Sequence, residues 1–158
     1  MRKRLIGQAT ESRTDDSSVA WLDLQQLSRV ELTSEDEAYP IEGALSREGG
    51  VGWRASSEGR QTIRILFDDS QKIRRIQLRF SEKERPRTQE FLLRWSSDNG
   101  QTYREIVRQQ YNFSPPNVSE EIEDYTVDLS GATALELVII ADISRADVRA
   151  SLKQMRVE

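Results

Sequence analysis

Apolar and polar positions alternate with a period of two through most of the chain beyond residue 60. Ile63, Ile65 and Phe67 alternate with Thr62, Arg64 and Leu66, and Ile76, Leu78 and Phe80 with Arg75, Gln77 and Arg79. Phe91, Leu93 and Trp95 form a third set, Tyr103 to Val107 follows, and Tyr125, Val127 and Leu129 form another. That period places alternate side chains on opposite faces of a strand, one buried and one solvated. From Leu135 to Ile140 both parities are apolar, as in a strand covered on both faces. A last strand is predicted around Ala150 to Val157. Before residue 60 the pattern is less regular. Leu22, Leu24, Val30 and Leu32 alternate as strand residues would, yet Trp21, Leu24 and Leu27 equally mark a short helical turn.

Turn chemistry separates these segments. Asp98-Asn99-Gly100 is the strongest hairpin signal, because Asn and Gly accept the positive φ that a tight turn between twisted strands requires. Asp68-Asp69-Ser70 and Ser130-Gly131 are read as further turns. Residues 34–60 form a long connection holding Pro40 and five glycines, with Trp53 inside it; loops of that length are uncommon and often functional. The count is about eight strands, the expectation for an all-β antiparallel sandwich of jelly-roll type.

Composition narrows the chemistry. At 158 residues with 36% hydrophobic content, residues 19–158 suffice for one self-supporting domain behind a polar arm at residues 1–18. With 23 basic and 27 acidic residues the formal charge is −4, so neither nucleic acid nor an anionic membrane is an expected partner. No run approaches the roughly 18 apolar residues of a membrane span, and Leu5-Ile6 is too short for a signal peptide core, so a cytoplasmic location is expected. Cysteine and histidine are both absent. Their absence removes disulfides, thiolate metal sites, the Ser-His-Asp and Cys-His triads and the commonest general base near neutral pH. A non-enzymatic protein with no cofactor is therefore expected.

Ser96-x-Asp98-x-Gly100-x-Thr102-Tyr103 resembles the Asp-box turn, a structural motif in which Asp and Ser/Thr side chains satisfy turn amides. It occurs once, which argues against a propeller, whose unit repeats in every blade. From about Val30 to Val157 the chain resembles a discoidin-like domain, also called F5/8 type C or galactose-binding-like. The resemblance rests on the Ser34–Pro40 loop SEDEAYP, Trp53 before the second strand, the hairpin WSSDNGQTYREI, and the closing strand SLKQMRVE behind Arg145 and Arg149. It implies a jelly-roll sandwich. Members with a calcium site carry an Asp/Asn-rich loop before that Trp; here the loop reads LSREGG, and no metal is expected.

If successive strands reverse, connections 34–60, 81–88, 112–124 and 142–149 share one end, where sandwich domains usually bind. On that rim the sequence places Trp53, Arg54, Arg85, Arg87, Tyr111, Asn112, Phe113, Arg145 and Arg149. Aromatic faces stack on sugar C–H surfaces, and planar guanidinium and amide groups bond hydroxyls in pairs, so a carbohydrate-like ligand is expected there. The structural alternative is that Trp53 caps the core, Tyr111 ends a strand, and the arginines pair with nearby glutamates. Arg64, Arg75, Arg79, Arg94, Arg104 and Arg108 are expected on a solvated sheet face, paired with Glu90 and Glu105. The acidic run at 120–124 is expected to be a solvated turn. The rival function is a structural or protein–protein interaction module with no small ligand.

Overall fold

The computed structural model describes residues 20–158, so the arm expected at 1–18 lies outside the described residues. A helical turn α1 (Leu24–Leu27) leads directly into strand β1 (Ser28–Leu32). Asp23 caps α1 by accepting from the Gln26 amide at 3.4 Å, which decides the ambiguous 21–27 stretch in favour of helix. The long connection carries a second turn, α2 (Glu42–Leu45), and a two-residue strand β2 (Trp53–Arg54). Then come β3 (Gln61–Ser81), β4 (Arg87–Ser96), β5 (Arg104–Phe113), β6 (Glu120–Ile140), β7 (Ser151–Leu152) and β8 (Gln154–Val157). All pairing is antiparallel, in the order β1-β3-β6-β4-β5, with β8 added on β3 and β2-β7 as a separate ribbon. The fold class is the one expected: an all-β antiparallel sandwich with eight strands.

They are not the eight strands that the turn signals separate. Asp68-Asp69-Ser70 and Ser130-Gly131 are no hairpin turns but lie inside β3 and β6. These two strands pair along nearly their whole length, from Gln61 opposite Ile139 to Ser81 opposite Glu120, with register shifts between Leu66 and Arg75. Bulges bend strands and raise their twist, so the paired strands fold over together there. The first half of β3 pairs with β1 and the second half with β8. The buried parity switches across the bulges, from Ile63, Ile65 and Phe67 to Ile76, Leu78 and Phe80. Because the bend reverses the chain as a turn would, the long connections still gather at one end.

Between the two halves runs one buried apolar cluster that includes Phe80, Phe91, Leu93, Leu135, Leu137 and Ile139. Each such side chain contributes roughly 1.5–3 kcal/mol on burial. The rings of Phe80 and Phe91 lie 5.2 Å apart and tilted. On the outer face Arg64 and Arg94 both pair with Glu136, Arg75 with Asp124, and Arg108 with Glu90. Four of the six expected sheet-face arginines are thus ion-paired: Arg108 with Glu90 and Glu105 as expected, Arg64 and Arg94 with Glu136, and Arg75 with Asp124, while Arg79 and Arg104 meet no carboxylate among the described residues. Burial raises the Glu136 carboxyl; the two guanidiniums outweigh it and hold the group below the usual range. The acidic run is not a solvated turn: it opens β6, with Glu121 buried and Asp124 ion-paired.

The β4–β5 hairpin turns where the sequence places it. Asn99 has φ 60° and Gly100 φ 82°. The Ser96 hydroxyl donates to Asp98 at 2.6 Å and accepts from the Gly100 amide at 2.9 Å, while Asp98 accepts from the Thr102 amide at 2.9 Å. With the Ser96 and Thr102 hydroxyls and that amide donating to it, the Asp98 carboxyl is held down at about 2. The turn is tied to the bend of β6 by the Asn99 amide, which donates to the Thr133 hydroxyl at 2.8 Å.

Candidate functional site

The long-loop end holds a cavity of about 570 Å³. Glu58, just ahead of β3, and Ser81, its last residue, line the same cavity, a direct consequence of the bend in β3. Three connections build its walls: 33–60, 82–86 and 141–153. Backbone hydrogen bonds join the first to the third (Ala55 to Ala150, 2.9 Å), close the first on itself (Asp36 to Arg54, 2.8 Å) and tie the third to the end of β3 (Lys153 to Arg79, 2.8 Å). Gly52 must be glycine in this wall: its φ is 89°, and a Cβ there would meet the Leu152 carbonyl at 2.9 Å.

Of the nine residues the sequence places on the rim, four come together around this cavity. Arg54, Arg85 and Arg149 are exposed at it. Trp53 contributes a wall but is only 1% exposed, its indole N–H donating to the Ser34 carbonyl at 3.0 Å. Its ring caps the core, so the stacking role expected of it does not fit. Arg54 lies with its guanidinium 4.9 Å from the centre of the Tyr39 ring. Tyr39 is the half-buried aromatic that the cavity presents, and the sequence reading passes over it. Its signal was available: an aromatic between a charged run and Pro40, in a long irregular loop.

Two further expected rim residues are buried and need correction. Arg87 is 4% exposed and Phe113 1%. The Arg87 Nε donates to Glu82 at 2.6 Å, and its Nη1 donates to the Ala141 carbonyl at 2.8 Å and to Gln89 at 3.0 Å. Its guanidinium lies 4.6 Å from the Phe113 ring centre, and Tyr111 meets that ring edge-on at 5.0 Å. Arg87 therefore joins the 82–86 loop, the segment after β6 and the end of β5 from behind. It holds the rim in place and does not line the cavity. Both are inward by parity: Arg87 and Gln89 continue the inward series of Phe91 and Leu93, and Phe113 pairs with Arg87 across the β4–β5 ladder. Tyr111 is half-buried and donates to the Glu120 carbonyl at 3.0 Å. Asn112 is exposed but accepts from Thr88 at 2.6 Å, and Arg145 is ion-paired with Asp147 at 2.7 Å. Neither lines the cavity.

Electrostatics behind the rim differ from those on it. Burial raises the Glu82 carboxyl, but the amides of Glu84 and Arg85 and the Arg87 guanidinium hold it below the usual range. The Arg145 guanidinium does the same for Asp147. Glu121 lies deeper, 2% exposed, with one carboxylate oxygen lacking a hydrogen-bond partner. Burial, and then the facing Glu123 carboxylate, pushes its carboxyl up to about 8. Among the described residues no group of three or more acidic side chains is placed to hold a metal ion, and no helix is long and apolar enough to cross a membrane.

No family model matches the sequence, and neither does any curated protein. Solved structures do match. A family 32 carbohydrate-binding module (CBM32) of AlyQ, in complex with 4,5-unsaturated mannuronic acid, superposes with a TM-score of 0.62 at 14% identity, covering 89% of this chain and 98% of that one. The family 32 module from C. perfringens NanJ, in complex with galactose, gives 0.63 at 12% identity over 87% and 96%. A CBM32 domain from Clostridium perfringens, in complex with GalNAc-β-1,3-galactose, gives 0.63 at 19% identity over 87% and 99%. The fold is thus the galactose-binding-like, discoidin-like sandwich that the sequence motifs resemble.

Proposed function

We propose that this chain is a non-catalytic carbohydrate-binding module whose ligand sits in the long-loop cavity. The observation that carries the reading is the cavity itself. It places an aromatic ring, Tyr39, beside three exposed guanidiniums at the end of the sandwich where three long loops converge. Ring and guanidinium together supply the apolar face and the paired donors that a sugar ring needs. Solved neighbours of this fold in complex with galactose and with GalNAc-β-1,3-galactose support the assignment.

Chemistry at the cavity favours binding over turnover. A glycosidase needs one carboxyl kept protonated opposite a second that stays ionised. The lining carboxylates Glu82 and Asp147 are both held low by arginines. Glu121, the carboxyl that is pushed up, is buried outside the cavity lining.

A glycan array run on the chain and on Tyr39→Ala tests the reading. The expected result is retention of one glycan class, lost in Tyr39→Ala while the β-sheet circular dichroism is kept. Absence of binding to every glycan, together with capture of a protein partner, would instead favour the interaction-module alternative.

A further inference from the structure

Resting on the carbohydrate reading, we infer that the cavity takes a sugar bearing a carboxylate, a uronic acid unit, held by the guanidiniums of Arg54 and Arg149 with Arg85 at its edge. The inference follows from which charges at the cavity are already committed. Five carboxylates and five cations line it. Three of those carboxylates are engaged within the fold: Glu82 pairs with Arg87, Asp147 with Arg145, and Asp36 accepts from the Ala38 amide at 2.9 Å. Among the cations only Lys153 is engaged in this way, donating to the Gly50 carbonyl at 3.0 Å.

Arg54, Lys83, Arg85 and Arg149 therefore stand against Glu58 and Glu84. Among the described residues none of these four cations has a carboxylate within ion-pair distance. On the sheets Arg64, Arg75, Arg94 and Arg108 each meet a carboxylate, while Arg104 lies over the Trp95 ring and the Arg79 Nε has no hydrogen-bond partner. Three guanidiniums without a carboxylate partner, those of Arg54, Arg85 and Arg149, thus share one cavity.

Geometry selects the anion. A guanidinium presents two parallel N–H donors that match the two coplanar oxygens of a carboxylate. The Arg54 guanidinium also lies 4.9 Å from the centre of the Tyr39 ring, and its backbone is bonded to Tyr39 at 3.1 Å and to Asp36 at 2.8 Å. A sugar ring resting against Tyr39 would bring a C6 carboxylate toward the same guanidinium. The net excess at the cavity is small, with Glu58 and Glu84 still present, which suits one singly charged carboxylate per site better than a densely sulfated chain.

The test is calorimetric titration of the full chain with a galacturonic acid trimer, its carboxyl-reduced neutral counterpart and a sulfated galactose trimer. Charge-assisted hydrogen bonds of this kind predict at least about tenfold tighter binding of the galacturonate than of the reduced trimer. That preference is expected to shrink as salt rises from about 50 to about 500 mM. Arg54→Gln and Arg149→Ala are each expected to lose about tenfold for the galacturonate and less for the neutral trimer, so that the preference for the acidic trimer collapses. Arg29→Ala, on the edge strand β1 and away from the cavity, is the unaffected control. Melting curves for every variant confirm folding. Equal affinity for the neutral and the acidic trimers overturns the inference while leaving the carbohydrate reading intact, as does tighter binding of the sulfated trimer. Failure to bind any of the three, or any glycan on the array, overturns both.

Discussion

Phe113→Ala separates a structural role for the rim's inner layer from a binding role. The ring is 1% exposed, stacked 4.6 Å from the Arg87 guanidinium and 5.0 Å from Tyr111. Truncating a fully buried Phe costs about 3–5 kcal/mol, the cavity left behind included. The stacked guanidinium and the edge-on ring place Phe113 in the middle of that range or above, because an arginine–aromatic contact is worth about 2 kcal/mol when desolvated. These contributions overlap and are not summed. A loss of about 4 kcal/mol corresponds to a fall in Tm of roughly 8–16 °C for a domain of this size. Against a total stability of about 5–15 kcal/mol, the variant keeps at least about 1 kcal/mol and stays mostly folded at room temperature. Urea denaturation and calorimetry read the loss directly. Titration with the galacturonate trimer, at a temperature where the variant is folded, is expected to show affinity within about threefold of the parent, since the ring does not line the cavity. A Tm within about 2 °C of the parent, combined with lost binding, would refute the placement of Phe113 and with it the division of the rim into an outer and an inner layer.

Arg87→Met keeps the length of the stem but leaves Glu82, Gln89 and the Ala141 carbonyl without their donor. A loss of about 3–5 kcal/mol is expected in urea denaturation, as for other broken buried pairs, with faster proteolysis in the 82–86 loop. Glu121→Gln tests the raised carboxyl. The parent's folded state holds a proton that the unfolded chain releases above its ordinary value of 4.5, so stability is fullest below that pH and declines as pH rises toward about 8. The glutamine variant lacks this decline, and denaturation across pH 4 to 9 is expected to show its advantage growing through that window and levelling beyond it. A parent curve that is flat there would show Glu121 ionised and satisfied.

Much of this architecture can be read from the chain, and the parts that cannot have physical causes. Period-two alternation locates part of every long strand, though not the acidic opening of β6, and Asn99-Gly100 locates the hairpin, because both signals are local. The continuity of β3 through Asp68-Asp69-Ser70 is not local: three exposed polar residues in a bulged bend have the same composition as a hairpin turn. What distinguishes them is the partner strand, where Gln71 pairs with Ala132, and no local pattern reveals that. The gathering of the long loops was legible nonetheless, since a fold-over and a turn both reverse the chain. At the site the difficulty was burial. Arg87 and Phe113 sit beside Pro86 and Pro115 in polar surroundings and look like loop residues, yet each stands in the inward register of its strand. Carrying the parity of Phe91 and Leu93 back to Arg87 would have placed it inside. Tyr39 was missed for the converse reason, because a lone aromatic in an irregular loop has no register to extend.

The long β3–β6 ladder also bears on how the chain reaches this state. Its innermost pair, Ser81 opposite Glu120, encloses just the β4–β5 hairpin and its flanking loops, and its outermost pair, Gln61 opposite Ile139, encloses half of the chain. The ladder is therefore a set of nested closures. Once the hairpin has formed, joining Ser81 to Glu120 closes the shortest available loop, and each later pair extends a closure already made, at little further entropic cost. Folding is then expected to zip outward from the rim, around the bend at the bulges, and back to the rim, with β1 and β8 docking last on a finished template. Such non-local pairing is slow, on the order of milliseconds to seconds. The loops that build the cavity lie at both the first and the last steps of that route, so the site is complete only when the whole chain is.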